Sequence, residues 1–246
     1  MNPLERFNSH FKLAGTIFLD ACPVCESTEI AEIWRLPQSR LKETVYLNVP
    51  GSPMNGTYLD YLPTLESPQQ LFKFDICGQC ESIFLNPKYD DQEIYARDAS
   101  KVESFRKKGP DEFKGAAQTF LRVMPADTKV VVDAACGAGQ SLHLMKAQRP
   151  DLKVAGLELS VPAVAFMNDE LGIEAHAVDL DRDDLKPFVA PGSVDFIIFQ
   201  EAYEHVRSPI TTMRKLVEML RPGGRIHFTA QYWGDNPLQI RVGEPI

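Results

Sequence analysis

No stretch of the 246-residue sequence is apolar for the length of a bilayer. The N-terminus carries Glu5, Asn8, Ser9 and His10 where a secretory leader would be continuously apolar. A membrane span and a secretory leader are therefore not expected, and the expected compartment is cytoplasmic. Basic charge is also scarce: 26 Lys and Arg face 34 Asp and Glu, for a net charge of -8, so nothing attracts a polyanion at long range. The densest basic run, Arg106, Lys107 and Lys108, is short and reads as a solvated face. Internal repeats and low-complexity segments are absent. With 44% hydrophobic and 24% charged residues, the composition excludes fibrous and disordered classes.

Only five cysteines are present, and in a reducing compartment they do not suggest a disulfide framework. Four of them form two knuckles, Cys22-Pro23-Val24-Cys25 and Cys77-Gly78-Gln79-Cys80, separated by the 51 residues 26–76. Four thiolates on two such turns suit the closed tetrahedral shell of Zn²⁺, which leaves no position for water and so implies a structural role. Cys136 reads as a small buried filler.

Residues 1–100 are interrupted by Pro37, Pro50, Gly51, Pro53, Gly56, Pro63, Pro68 and Pro87, and read as a small loop-rich zinc-binding domain. Residues 101–124 read as a connecting helical segment, with Phe113, Ala116, Ala117, Phe120, Leu121 and Met124 at three- and four-residue steps. From 125 to 246 short apolar runs alternate with helical patterns. Strands are expected at 130–132, 154–157, 173–178, 194–199 and 225–229, and helices at 141–148, 162–171 and 210–220. This alternation predicts an α/β fold, a Rossmann-like parallel sheet with helices on both faces.

The first strand runs into Asp133-Ala134-Ala135-Cys136-Gly137-Ala138-Gly139-Gln140, a turn at the carboxyl end of a strand, where open α/β sheets bind ligands. Glycine pairs end many strands for structural reasons alone, but three further groups fall on the same rim. Glu158, followed by Leu159, ends the second strand about 20 residues on, where a carboxylate can accept from both ribose hydroxyls of an adenosine. Asp179 and Leu180 end the third strand, within reach of an adenine. Gln200, Glu201, Tyr203, Glu204 and His205 follow the fourth. A dinucleotide fold wants glycine or alanine three positions after the second glycine, to bring the helix N-terminus to a pyrophosphate. Leu142 stands there, so the expected cofactor lacks a pyrophosphate.

These segments resemble the class I S-adenosylmethionine-dependent methyltransferases. Residues 132–139 are similar to their glycine loop and Leu157-Glu158-Leu159-Ser160 to their acidic loop. Val178-Asp179-Leu180, Glu204-His205-Val206 and Leu220-Arg221-Pro222-Gly223-Gly224-Arg225 also match, in order, over roughly 129–229. The resemblance implies S-adenosylmethionine as cofactor, with Asp133, Gly137 and Gly139 holding its methionine part, Glu158 the ribose and Asp179 the adenine. Ala135, Leu159, Leu180 and Gln200 complete the candidate cofactor set. The family's sheet gains a sixth and a seventh strand, whereas 17 residues follow Thr229 here, so the last two strands are expected to be missing. The segment around Cys77–Tyr89 is similar to the zinc-binding region ahead of bacterial sugar C-methyltransferases. That likeness implies a small-molecule acceptor, such as a nucleotide-linked sugar or a related metabolite.

Methyl transfer needs the sulfonium methyl held near a nucleophile and the nucleophile's proton removed. His205 is the candidate base, with Tyr203, Glu204 and Glu201 as alternatives on the same loop. The other histidines, at 10, 143, 176 and 227, lack paired spacing. Tyr58, Tyr61, Tyr89 and Tyr95 are candidate walls for an acceptor. Two competing readings are methylation of RNA, against which the acidic charge argues, and a cofactor-fold binding protein without catalysis.

Overall fold

A computed structural model describes residues 15–37, 71–86, 88–90, 92–203 and 205–229. They fall into two compact units that divide between Ile94 and Tyr95.

In the first unit, strand β1 (Gly15–Ile17) pairs antiparallel with β5 (Lys88–Asp90). A separate antiparallel sheet joins β2 (Ile30–Pro37), β3 (Leu71–Cys77) and β4 (Ile83–Leu85) in that order. Buried Asn86 fastens the chain between them. Its amide nitrogen donates to Asp75 Oδ2 at 2.7 Å and to the Leu19 carbonyl at 2.9 Å, while its Oδ1 accepts from the Leu19 N–H at 2.9 Å. One side chain thereby satisfies both backbone groups of a segment that belongs to no strand.

Helix α1 (Gln92–Arg97) leads into the second unit. The helical pattern of 101–124 is realised in three pieces: α2 (Ser100–Lys108), a 3₁₀ turn (Pro110–Phe113) and α3 (Lys114–Val123). The break has a local cause. Gly109 takes a positive φ of 74°, and Pro110 has no N–H to continue the ladder.

Five parallel strands then form the sheet: β6 (Val130–Ala134), β7 (Lys153–Glu158), β8 (Glu174–Ala177), β9 (Val194–Gln200) and β10 (Leu220–Thr229), in the spatial order β10-β9-β6-β7-β8. Between them run α4 (Gln140–Gln148), α5 (Val161–Phe166) with a π turn (Met167–Leu171), and α6 (Pro209–Met219). The strands bury both faces, so their side chains sort by parity. Val131, Val154, Phe196 and Ile198 pack with Ala117, Phe120, Leu142 and Met145. Val132, Leu157, Ile197 and Phe199 pack with Leu180, Leu185, Leu216 and Met219. Helices thus cover both faces, as the near-continuous apolar strands require. Strand order reverses between β6 and β9, which places the switch point, and the crevice that goes with it, at the carboxyl ends of these two strands.

Candidate functional site at the carboxyl rim

The turn after β6 is held in unusual backbone geometry. Ala135, Gly137 and Gly139 have φ of 65°, 58° and 73°. Only Ala135 carries a Cβ in this region, and its N–H donates to the Leu157 carbonyl at 2.7 Å, which fixes it. A Cβ on Gly139 would lie 2.6 Å from Met167 Sδ, and one on Gly156 in β7 would lie 2.5 Å from Cys136 Sγ. The two sulfurs, 3.6 Å apart, therefore fill the volume that two missing side chains leave open behind the turn. Cys136 is a packing residue there, and burial above all pushes its thiol well up.

Glu158 ends β7 beside this turn. Its Oε2 accepts from the Gly137 N–H at 2.7 Å and its Oε1 from the Ser160 N–H at 2.9 Å. Burial raises its carboxyl above the usual range, while these N–H groups and the Lys101 charge oppose the rise. Asp133, near the end of β6, is 5% exposed, and burial together with the charge of Glu158 pushes its carboxyl well up. Two adjacent strands thus bring a buried and a half-buried acid to one rim.

Asp179 stands past β8. Its Oδ1 accepts from the N–H groups of Asp181 at 2.9 Å and Arg182 at 3.2 Å, so this acid shapes its own loop. Leu180 turns its side chain into the core under α6. Gln200 ends β9, and Glu201 beyond it takes a φ of 48° with its N–H donating to Thr229 Oγ1 at 3.0 Å. Tyr203 packs its ring on Phe199 and Phe228, whereas exposed His205 stands edge-on to Tyr95 with ring centroids 6.0 Å apart. Leu159 lies half-buried between Glu158 and the Ser160 cap of α5. Glu204, Tyr58 and Tyr61 lie outside the described residues.

Two further residues join the rim: Lys101, which no motif announces, and Ser160, the last residue of the acidic-loop segment, to which the resemblance assigns no role. Lys101, on α2, brings its Cγ to 4.0 Å from where a Gly137 Cβ would be. Ser160 Oγ donates to the Asp98 carbonyl at 2.6 Å and accepts from the Ala163 N–H at 3.2 Å, so it caps α5 and holds the start of α2. The one sequence signal for the cap is Ser160 followed by Pro162 in the first helical turn.

In the first unit the four knuckle sulfurs lie within 4.8 Å of one another, with Cys22–Cys80 at 3.6 Å and Cys25–Cys77 at 3.5 Å. The knuckles repeat each other. In each, the N–H two residues on donates to the first sulfur at 3.4 Å, and a glutamate with φ near 60°, Glu26 or Glu81, closes the turn. The Ser82 hydroxyl and backbone hold the Cys80 thiol down at about 6. Although the Ser27 backbone opposes it, burial and the three other thiols push Cys25 up to about 12. Four sulfurs this close cannot all ionise without a cation among them.

The second unit is an α/β sheet with a glycine turn at its switch point and two acids, Asp133 and Glu158, at the carboxyl ends of β6 and β7. Residues 132–228 match the family model described as a methyltransferase domain, and the same segment folds as a Rossmann-like parallel sheet. Over 108 residues the chain is 33% identical to the ubiquinone biosynthesis O-methyltransferase of Ralstonia nicotianae, covering 43% of this chain and 44% of that protein. Over 139 residues it is 27% identical to the trans-aconitate 2-methyltransferase of Azoarcus sp. strain BH72, covering 56% and 49%. It is also similar to the solved structure of a sugar N-methyltransferase from Streptoalloteichus sp., at 19% identity and a TM-score of 0.45, covering 56% of this chain and 55% of that one. The chain spans about half the length of the curated relatives it matches. Among the described residues, no helix is long and apolar enough to cross a membrane.

Proposed function

We propose that the chain transfers a methyl group from S-adenosylmethionine to a small-molecule acceptor, and that a structural Zn²⁺ holds its first unit together. The carrying observation is the pair of acids at the carboxyl ends of β6 and β7. Asp133 is buried, Glu158 is half-buried and both are raised, an arrangement that favours a ligand bringing positive charge and hydroxyl donors and disfavours a pyrophosphate. Adenosine with a sulfonium and an ammonium meets that requirement, and a nicotinamide dinucleotide does not.

In this reading Glu158 accepts from the ribose hydroxyls, and Asp133 with the backbone of Ala135, Gly137 and Gly139 faces the aminoacyl tail. Leu159, Asp179 and the backbone of Leu180 stand on the side of the base, and Gln200, at the end of β9, stands on the opposite side of the glycine turn. S-adenosylmethionine supplies the methyl when bound. The protein's part is to align the acceptor and to take its proton on an imidazole nitrogen of His205, with Tyr203 and Glu204 on the same loop. Exposure of His205 beside Tyr95 supports an acceptor approaching from that side. The names of the ubiquinone-biosynthesis and trans-aconitate relatives support a small acceptor, against one relative named a tRNA methyltransferase, and nucleotide-linked sugars and phenolic or carboxylic metabolites are the classes to assay.

For zinc, the sulfur separations support the reading: a tetrahedron with Zn–S of about 2.3 Å has edges of about 3.8 Å. Cys22, Cys25, Cys77 and Cys80 would hold the ion.

The test of the base is His205→Ala assayed with tritiated S-adenosylmethionine across those acceptor classes. Turnover should fall about a hundredfold while cofactor affinity stays at the wild-type value. Full turnover in a variant that binds cofactor would remove His205 from the reaction.

A further inference from the structure

Resting on the cofactor reading above, we propose that Asp181 is a positioning residue that ties the adenine side of the site to the loop carrying His205. Its carboxylate bonds across 26 residues and more of chain. Oδ2 accepts from the Arg207 N–H at 2.8 Å, and Oδ1 accepts from the Ser208 N–H at 3.1 Å and from the hydroxyl of fully buried Thr212 at 3.2 Å. These are the donors at the start of α6. The residue in the N-cap position, Ser208, makes no side-chain cap to that helix, because its hydroxyl donates to Thr211 Oγ1 instead. The cap is therefore supplied from the loop after β8 rather than from the helix's own sequence.

The link also runs the other way. One turn further along α6, Lys215 Nζ donates to the carbonyls of Leu180, Asp181 and Asp183 at 3.1, 2.8 and 3.0 Å. An acid from the loop meets the positive end of the helix, and a cation from the helix meets the loop's carbonyls. Asp179 grips the same segment through the Asp181 and Arg182 N–H groups. Any ligand that fixes Asp179 and Leu180 thereby fixes Asp181, and through it Arg207 and Ser208, two and three residues after His205. The chemistry is that of a tertiary cap, in which charge-assisted hydrogen bonds to backbone donors are shorter and stronger than neutral ones. Its consequence is that cofactor binding sets the geometry of the acceptor loop.

The test is amide hydrogen exchange of the full chain with and without S-adenosylhomocysteine, in wild type, Asp181→Ala and the milder Thr212→Val. In wild type, S-adenosylhomocysteine should protect the amides of residues 205–208. Asp181→Ala should bind S-adenosylhomocysteine within about threefold of wild type and lose that protection, and Thr212→Val should lose part of it. A merely structural residue would loosen the whole sheet and leave the ligand-induced difference in place. If Asp181→Ala binds the ligand and still protects 205–208, the inference is overturned. If wild type does not bind S-adenosylhomocysteine, the cofactor reading fails, and the link is then read without ligand. Faster exchange at Arg207, Ser208 and Thr212 with unchanged exchange in Val194–Gln200 would support it, and unchanged exchange throughout would overturn it.

Discussion

Two aspartates at opposite ends of neighbouring strands show how position decides what a carboxylate does. Asp195, early in β9, is 7% exposed, and its Oδ2 accepts from the Lys129 and Val130 N–H groups while Oδ1 takes Arg221 Nε. Burial would raise its carboxyl, but Arg221 and the two N–H groups outweigh it and hold the carboxyl below the usual range. Asp133, at the carboxyl end of β6, has no such partners and is raised by burial and by Glu158. The signs of linkage are opposite. Asp195, lowered in the folded state, contributes stability that is present above its unfolded value near 4 and lost as pH falls through the folded value. Asp133, raised, contributes stability below its unfolded value, and that is lost as pH rises through the folded one. Urea unfolding should therefore find Asp133→Asn more stable than wild type at pH 8, with the gain vanishing at pH 4, alongside weaker cofactor binding. Asp195→Ala should lose about 3 kcal/mol at pH 8. Equal effects of the two variants at pH 8 would contradict the division into a functional and a structural end of the sheet.

At the scale of elements, the unit β6–turn–α4 depends on the π turn that continues α5. Met167 opens that turn and seals the back of the glycine loop, and Asn168 holds it to β8 by pairing both backbone groups of Ala175 at 2.9 and 3.0 Å. Gly139→Ala would place a Cβ in the left-handed region against Met167, and about 2 kcal/mol of stability should be lost, with cofactor affinity falling in parallel. A Gly139→Ala variant with wild-type unfolding and binding would mean that the loop tolerates displacement of Met167. The elements of residues 129–229 were legible in the sequence because buried parallel strands are continuous apolar runs, and Val130–Val132 and Val194–Phe199 cannot be mistaken for a surface helix. The break at Gly109 was missed, because the apolar spacing from Phe113 to Met124 marked 101–124 as one helical segment although Gly109-Pro110 interrupts it. The Asp181 cap and the approach of Lys101 were not legible. They join residues 26 or more positions apart through tertiary geometry, which periodicity does not encode.

On the scale of the whole molecule, three of the five described strands of the first unit, Gly15–Ile17, Ile83–Leu85 and Lys88–Asp90, are three residues long, and its described buried residues are few. The two knuckles are 51 residues apart in sequence, and a metal that closes so long a segment contributes to folding. Purified protein should carry one zinc per chain by elemental analysis. Removing it with a chelator, or introducing Cys77→Ser, should unfold residues 15–94 while leaving the far-ultraviolet signature of the α/β unit. Retention of the unit's fold without metal would show that the sulfurs are ordinary thiols of a self-sufficient core. The paired cysteines were legible because their chemistry sits in four residue types at fixed spacing. The antiparallel sheet that carries them was not, since the prolines and glycines between Pro37 and Pro87 marked this half as loop-rich while β2 and β3 themselves hold no glycine and only the terminal Pro37.

The central claim is that the rim between β6 and β7 binds S-adenosylmethionine through the carboxylate pair Asp133 and Glu158. Isothermal calorimetry of the zinc-quantified protein with S-adenosylmethionine and, in parallel, with NAD, on wild type and Glu158→Ala, tests it most directly. Saturable binding of S-adenosylmethionine alone is expected, weakened about tenfold to a hundredfold by the substitution, the cost of losing charge-assisted hydrogen bonds. Binding of NAD, or no binding of S-adenosylmethionine by the folded protein, would contradict the account.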